Sequence, residues 1–165
     1  MTYPSVTQVL SPWNTFAGVR PEVLEAAAAR GSRVHLACSN YVSGFMVPDM
    51  PGGEQLYYNS FKRWFDTTVE EVISVEKEYK CETYKFMGHP DLVCVLKGSP
   101  EACVIDLKTP RTTSKSWRLQ IAGYSHLTKA TRGGTLRLSP DGERAIFDKS
   151  MSLAHDFSIF LNCFT

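Results

Sequence analysis

Two aspartates and a lysine form the clearest chemical pattern in this sequence. Asp91 follows Pro90 in Gly88-His89-Pro90-Asp91, and Asp106-Leu107-Lys108 comes fifteen positions later. Carboxylate oxygens are ligands for hard divalent cations. Lys108 stands two positions after Asp106, so on a β-strand both side chains leave the same face. Two carboxylates, a divalent cation and an ammonium meeting at one point provide what attack on a phosphate requires. Apolar strand surroundings disfavour Asp and Lys unless the two are paired. The pattern therefore marks either a site or a structural ion pair on a solvent face.

The segments that must position these groups follow from periodicity and turn chemistry. Residues 91–96 and 102–109 read as short apolar strands joined by the turn Lys97-Gly98-Ser99-Pro100-Glu101. Antiparallel pairing across that turn lays their open ends side by side and brings Asp91 and Asp106 within reach of one cation. Upstream, Pro21 opens a helix that continues over 22–37, is interrupted at Gly31 and Ser32, and presents His35, a common type of metal ligand. Residues 42–53 form a loop with exposed Met46 and Met50. A second helix over 54–67 buries Leu56, Tyr57, Phe61, Trp64 and Phe65. A strand over 69–80 follows, and 81–86 either lengthen it or fold back as a hairpin arm. Glu76 and Glu78 share one face of that strand, and either can add a carboxylate.

Ser114 or Ser116 caps a further helix that runs to Thr128, anchored by Trp117, Ile121, Tyr124 and Leu127. Gln120 and Tyr124 are four apart and share a face; Gln120 can orient a water or a phosphate. Gly133-Gly134 closes that region. Residues 135–138 and 144–148 form a second hairpin, and a helix over 151–160 ends the chain. A helix crossing between the third and fourth strands fits a mixed α/β sandwich.

With 165 residues, 43% hydrophobic and 21% charged, the chain is expected to fold as one globular domain. No apolar run approaches the ~20 residues of a membrane helix, and the N-terminus has no secretory pattern. Cys38, Cys81, Cys94, Cys103 and Cys163 lack metal-type spacing and read as reduced structural cysteines. Net charge is only +1, but residues 107–140 contain no Asp or Glu and carry seven Lys or Arg. That asymmetry creates a local positive field able to attract phosphate. Arg111, Lys115 and Arg118 lie within it, just after Asp-x-Lys. Trp117 and Tyr41 are candidates for stacking on an unpaired base, with a core role competing for Trp117.

Pro90-Asp91, Asp106-Leu107-Lys108 and Gln120-x-x-x-Tyr124, preceded by Arg30-Gly31-Ser32-x-x-His35, together resemble the PD-(D/E)XK nuclease superfamily. Within it they are most similar to the RecB-type branch that includes phage exonucleases and the mitochondrial genome maintenance exonuclease. The opening residues 4–10 are similar to the start of several members. The resemblance implies an α/β fold with a restriction-endonuclease-like core, a central mixed β-sheet flanked by helices. It implies a single domain over 1–165, with a helical N-terminal part over 1–68 and a catalytic core over 69–165. It also implies Mg²⁺ or Mn²⁺ held by His35, Asp91, Asp106 and the Leu107 carbonyl, with Lys108 as the catalytic lysine. Gln120 and Tyr124 then fall on the helix that supports the site and contacts DNA. An iron–sulfur cluster, found in some relatives, is not expected with Cys163 as the one late cysteine. No Walker-type phosphate loop is present.

The activity implied is metal-dependent hydrolysis of DNA from a strand end, in phage or prophage recombination or in DNA repair. The implied location is the cytoplasm of a bacterial or phage-infected cell, without membrane partners. A sequence- or structure-specific endonuclease of the same fold and a catalytically silent nucleic-acid-binding module are the alternatives. Ring-shaped trimers occur among similar phage exonucleases, so a homo-oligomer is compatible with the resemblance.

Overall fold

A computed structural model describes residues 2–14, 16–110 and 112–164. Ser5 caps helix α1 (Val6–Val9) through a reciprocal capping box with Gln8. Helices α2 (Pro21–Val42) and α3 (Glu54–Thr68) follow. Strand β1 (Val69–Val75) comes next, then the hairpin β2 (Tyr79–Cys81) and β3 (Phe86–Gly88). Strands β4 (Leu92–Leu96) and β5 (Ala102–Lys108) precede helix α4 (Lys115–Thr128), which Ser114 caps. Strands β6 (Arg132–Arg137) and β7 (Ile146–Lys149) and helix α5 (Leu153–Leu161) complete the order.

Five strands make the central sheet in the order β1-β4-β5-β6-β7, and β2-β3 form a separate ribbon. All sheet neighbours run antiparallel except β5 and β6, which are parallel. A parallel pair requires a crossover, and α4 supplies it. The sheet is therefore mixed and flanked by helices on both faces. On one face α2 and α3 bring Val34, Cys38, Phe61 and Trp64 against Cys94, Ile105 and Leu136. On the other, α1, α4 and α5 bring Val6, Ile121, Tyr124 and Phe160 against Val93 and Val104. Alternation along β5 puts Val104, Asp106 and Lys108 on the α4 face, and Ile105 and Leu107 on the α2 face. Among the described residues no helix is long and apolar enough to cross a membrane.

Several expected boundaries shift, each for a physical reason. Helix α2 runs unbroken through Gly31 and Ser32 to Val42. One helical glycine costs only ~1 kcal/mol, and the packed face of Val34, Ala37 and Cys38 outweighs it. The strand expected over 69–80 stops at Val75, because Glu76 takes φ +47° and turns the chain into the β2–β3 ribbon. Gly133 and Gly134 do not end a region; they lie inside β6. A Cβ at Gly133 would stand 2.7 Å from Val104 Cγ1 and 2.8 Å from Ile121 Cγ2. One at Gly134 would stand 2.6 Å from the Phe147 ring. Gly133 thus lets α4 approach the sheet, and Gly134 leaves room for Phe147 of β7 beside β6. Leu56 is exposed rather than buried, and Trp117 and Met50 are half-buried. Cys38, Cys94 and Cys103 are buried and all five cysteines are free.

Candidate metal centre and active site

The site forms where the sheet opens beyond the paired ends of β4 and β5, between α2 and α4. Leu92 pairs with Ile105, so the same register carried one residue further sets Asp91 opposite Asp106. Strand pairing has ended there, and the Asp91 side chain takes its place: Oδ2 accepts a 2.6 Å hydrogen bond from the Leu107 amide. The Lys108 carbonyl is turned to the other neighbour, accepting from the Leu138 amide at 2.8 Å. Successive strand carbonyls alternate sides, so the Leu107 carbonyl points toward Asp91.

From α2, His35 places Nδ1 3.2 Å from Asp91 Oδ1. From the end of β1, Glu76 donates its amide to the Asp91 carbonyl at 3.2 Å. One ligand atom each from His35, Glu76 and Asp91 lie within 4.8 Å of one another. A cavity of ≈10 Å³ is lined in part by His35, Cys38, Glu76, Asp91 and Leu107. That is the scale of a single water or monatomic ion.

Asp106 and Lys108 meet the α4 helix. Asp106 is 4% exposed. Lys108 Nζ lies 2.6 Å from its Oδ2. Gln120 Nε2 donates to Asp106 Oδ1 at 3.0 Å and contacts the Tyr124 hydroxyl at 3.3 Å. Its Oε1 accepts from Lys108 at 2.9 Å. One amide therefore orients both the acid and the ammonium. Gly88 of β3 abuts Tyr124, where a Cβ would come within 2.7 Å of Cε1.

The electrostatics reflect crowded carboxylates. Burial raises the Asp106 carboxyl above its usual range; Lys108 opposes this and the Asp91 charge adds to it. Burial also acts to raise Asp91, but the His35 charge and hydrogen bond and the Leu107 amide prevail and hold it low. Glu76 is pushed up to about 7 by desolvation and by the neighbouring Asp91. Burial disfavours a charged His35, yet the Asp91 charge and hydrogen bond, aided by Asp106, raise it to about 9. The Glu76 and Asp91 carboxyls, the His35 imidazole and the Leu107 backbone around this small cavity are a donor set suited to a hard divalent cation, with Asp106 beside it, held by Lys108 and Gln120.

The structure thus brings together His35, Asp91, Asp106, Lys108, Gln120, Tyr124 and the Leu107 backbone. Glu76 joins them, whereas Glu78 lies apart, 2.8 Å from Lys80 and 3.4 Å from His89. Strand parity alone puts both glutamates on one face; the turn at Glu76 separates them, and only a signal for that break distinguishes the two. Arg111 lies outside the described residues. Lys115 is exposed on the first turn of α4. Arg118 is not directed at the acids: two positions from Gln120, it points around the helix, with Nε 3.5 Å from Asp156 Oδ1 on α5. The Trp117 ring lies beneath Lys108, 5.5 Å from Nζ. Tyr41 is engaged elsewhere, bonded to Asp66 at 2.7 Å and edge-on to Tyr58 and Phe65.

The sequence matches no protein-family profile and no curated protein. Similar solved structures include SSO0001, at 20% identity and a TM-score of 0.41 over 55% of this chain and 46% of that one. The chain therefore spans less than half the length of that protein. An alkaline exonuclease, LHK-Exo, from Laribacter hongkongensis is 14% identical over 97% of this chain and 86% of that one, with a TM-score of 0.48. LHK-Exo in complex with dAMP gives 13% identity over the same shares, with a TM-score of 0.47.

Proposed function

We propose that this chain is a divalent-metal-dependent deoxyribonuclease that hydrolyses phosphodiester bonds from a DNA end. The observation that carries the reading is the meeting of Asp91, Asp106 and Lys108 at one opening of the sheet, with His35 and Glu76 beside Asp91 on a small cavity. His35, Asp91, Asp106 and the Leu107 carbonyl would hold Mg²⁺ or Mn²⁺, and Glu76 adds a carboxylate. Such a cation, when bound, supplies Lewis acidity toward a phosphate oxygen and lowers the pKa of a water.

The remaining work belongs to the chain's own groups. Lys108 offsets charge that builds on the phosphate during attack. Gln120 fixes both Lys108 and Asp106, so neither must reorganise as the reaction proceeds. Tyr124 braces Gln120 from the next turn of α4. Lys115, exposed close by, and Arg111, in the same acid-free segment, suit contact with neighbouring phosphates.

The test uses end-labelled linear duplex and closed circular DNA, with Mn²⁺ or with a chelator. Loss of label from linear DNA alone, and only with metal, is expected. Cutting of the circle would convert the reading to an endonuclease; binding without any product would make the chain a non-catalytic module. Asp106→Ala and Lys108→Ala are expected to abolish cutting, since a single electrostatic donor already contributes roughly 10²–10³ in rate. Activity of either variant at the wild-type level would refute the assignment.

A further inference from the structure

A second cavity lies beside the acids, between α4 and the β6–β7 end of the sheet. It encloses ≈190 Å³, and its lining includes Trp117, Arg118, Ile121, Thr135, Lys149 and Ser150. Thr135 is the strand partner of Asp106. In-register neighbours present their side chains on the same face, ~5 Å apart. The cavity floor therefore begins one strand away from the Asp106 carboxylate, and Trp117 separates it from Lys108.

From these relations we infer that the cavity receives one unpaired nucleobase of the DNA strand whose phosphate lies on the acids. The inference rests on the nuclease reading. Ring, aliphatic wall and hydroxyls match the flat, polar-edged shape of a base. Trp117 supplies an aromatic surface for stacking, which tolerates every base because each has a π-face. Ile121 supplies the apolar wall. The Ser150 hydroxyl is buried without a hydrogen-bond partner, while its amide is used by the Gly133 carbonyl at 2.9 Å. A base edge would satisfy that hydroxyl. Lys149 is exposed at the rim, suited to a neighbouring phosphate, and Asp148 of the lining is paired with Arg137. The volume is smaller than the ~300–1,000 Å³ of pockets for drug-sized molecules. It suits one heterocycle rather than a whole free nucleotide, so the base arrives on a strand.

The test compares DNA duplexes that end in an unpaired base with the same duplexes ending in an abasic residue, bound to the whole chain without metal so that nothing is cut. An end carrying a base is expected to bind about tenfold more tightly, in line with aromatic stacking. A terminal 2-aminopurine is expected to lose fluorescence on binding. Ser150→Leu fills the cavity and is expected to erase the tenfold preference; Trp117→Leu is expected to erase the fluorescence change. If Ser150→Leu does not fold, the preference is read from Trp117→Leu. Equal binding of both ends by the wild-type chain would overturn the inference while leaving the nuclease reading intact. So would a preference that survives in a folded variant, or displacement of the base-bearing end by a free nucleoside monophosphate at micromolar concentration. Failure to bind either duplex would overturn the inference, and the nuclease reading is judged separately by the metal-dependent cutting of linear DNA.

Discussion

The Asp91 carboxylate and the Leu107 amide are joined by a 2.6 Å hydrogen bond at the point where β4 and β5 cease to pair. One side chain thereby continues the sheet edge in place of backbone. The other oxygen of the same carboxylate stays 3.2 Å from His35 Nδ1. Asp91 is consequently both a structural clamp and part of the donor set, and the two roles can be separated.

Asp91→Asn keeps an oxygen that accepts from the Leu107 amide but removes the charge. Asp91→Ala removes both. The alanine variant is expected to lose ~1–3 kcal/mol of stability, the cost of leaving a buried amide unsatisfied, while the asparagine variant keeps that acceptor, gives up only the His35 ion pair, and is expected to lose less. Both are expected to lose metal-dependent cutting by at least 10²-fold, because the charged ligand is gone in each. Denaturant unfolding and a nuclease assay on the same preparations check the split. An asparagine variant as unstable as the alanine variant would show that the charge, not the acceptor, supports the fold.

Glu76 crowds Asp91, and the His35 charge offsets only part of the repulsion. In the metal-free chain Glu76→Gln relieves like-charge repulsion, so stability is expected to hold or rise slightly. Affinity for Mn²⁺ is expected to fall by ~10–100-fold, the range found for groups that support a metal site. Calorimetric titration with Mn²⁺ measures this directly, and unchanged affinity would remove Glu76 from the donor set.

The contrast between Glu76 and Asp106 shows what was legible in the chain. Asp106 and Lys108 lie in a continuous strand, where period-two parity is reliable and local sequence suffices. Gln120 and Tyr124 lie in a continuous helix, where spacing by four is equally reliable. Their meeting depended on the pairing of β4 with β5, and the turn at 97–101 announced that pairing. Glu76 sits at a break with positive φ, which no glycine marks, and parity carried across such a break misplaces the next residue. Gly133-Gly134 misled for the opposite reason. Their role is close packing against Val104, Ile121 and Phe147, a tertiary requirement that resembles turn chemistry in one dimension. Helical periodicity puts Arg118 in α4, but its contact with Asp156 depends on α5, some forty residues away in sequence.

That contact predicts unequal roles for two cations of α4. Lys115 is exposed and has no ion pair among the described residues, so Lys115→Ala is expected to reduce the salt dependence of DNA binding by about one counterion. Arg118 is already near a carboxylate, and Arg118→Ala is expected to change the slope by less. Affinities measured across a salt series provide both slopes. A full unit lost on Arg118→Ala would mean that Arg118 leaves Asp156 when DNA binds.

The helix that carries His35 is tied to α3 by one forked ion pair, and its pH dependence is predictable. Arg33 donates to Glu54 from Nε at 2.9 Å and from a terminal nitrogen at 2.6 Å. Glu54 is in the first turn of α3, where the helix dipole also favours a negative charge. The Arg33 hydrogen bond holds the Glu54 carboxyl below its usual 4.5, against a smaller opposing effect of desolvation. As pH falls, the unfolded chain therefore takes up this proton before the folded one does. The stability contributed by the pair is complete above 4.5 and is lost as pH drops through the folded value. Glu54→Gln is expected to be less stable than wild type at pH 7, with the difference shrinking below pH ~4.5 and closing once both carboxyls would be protonated. Arg33→Lys keeps the charge but not the fork and is expected to fall between the two. Urea unfolding of the three proteins from pH 7 to pH 3 supplies the comparison. A wild-type to Glu54→Gln difference that stays constant across that range would show that the fork contributes shape alone and no charge.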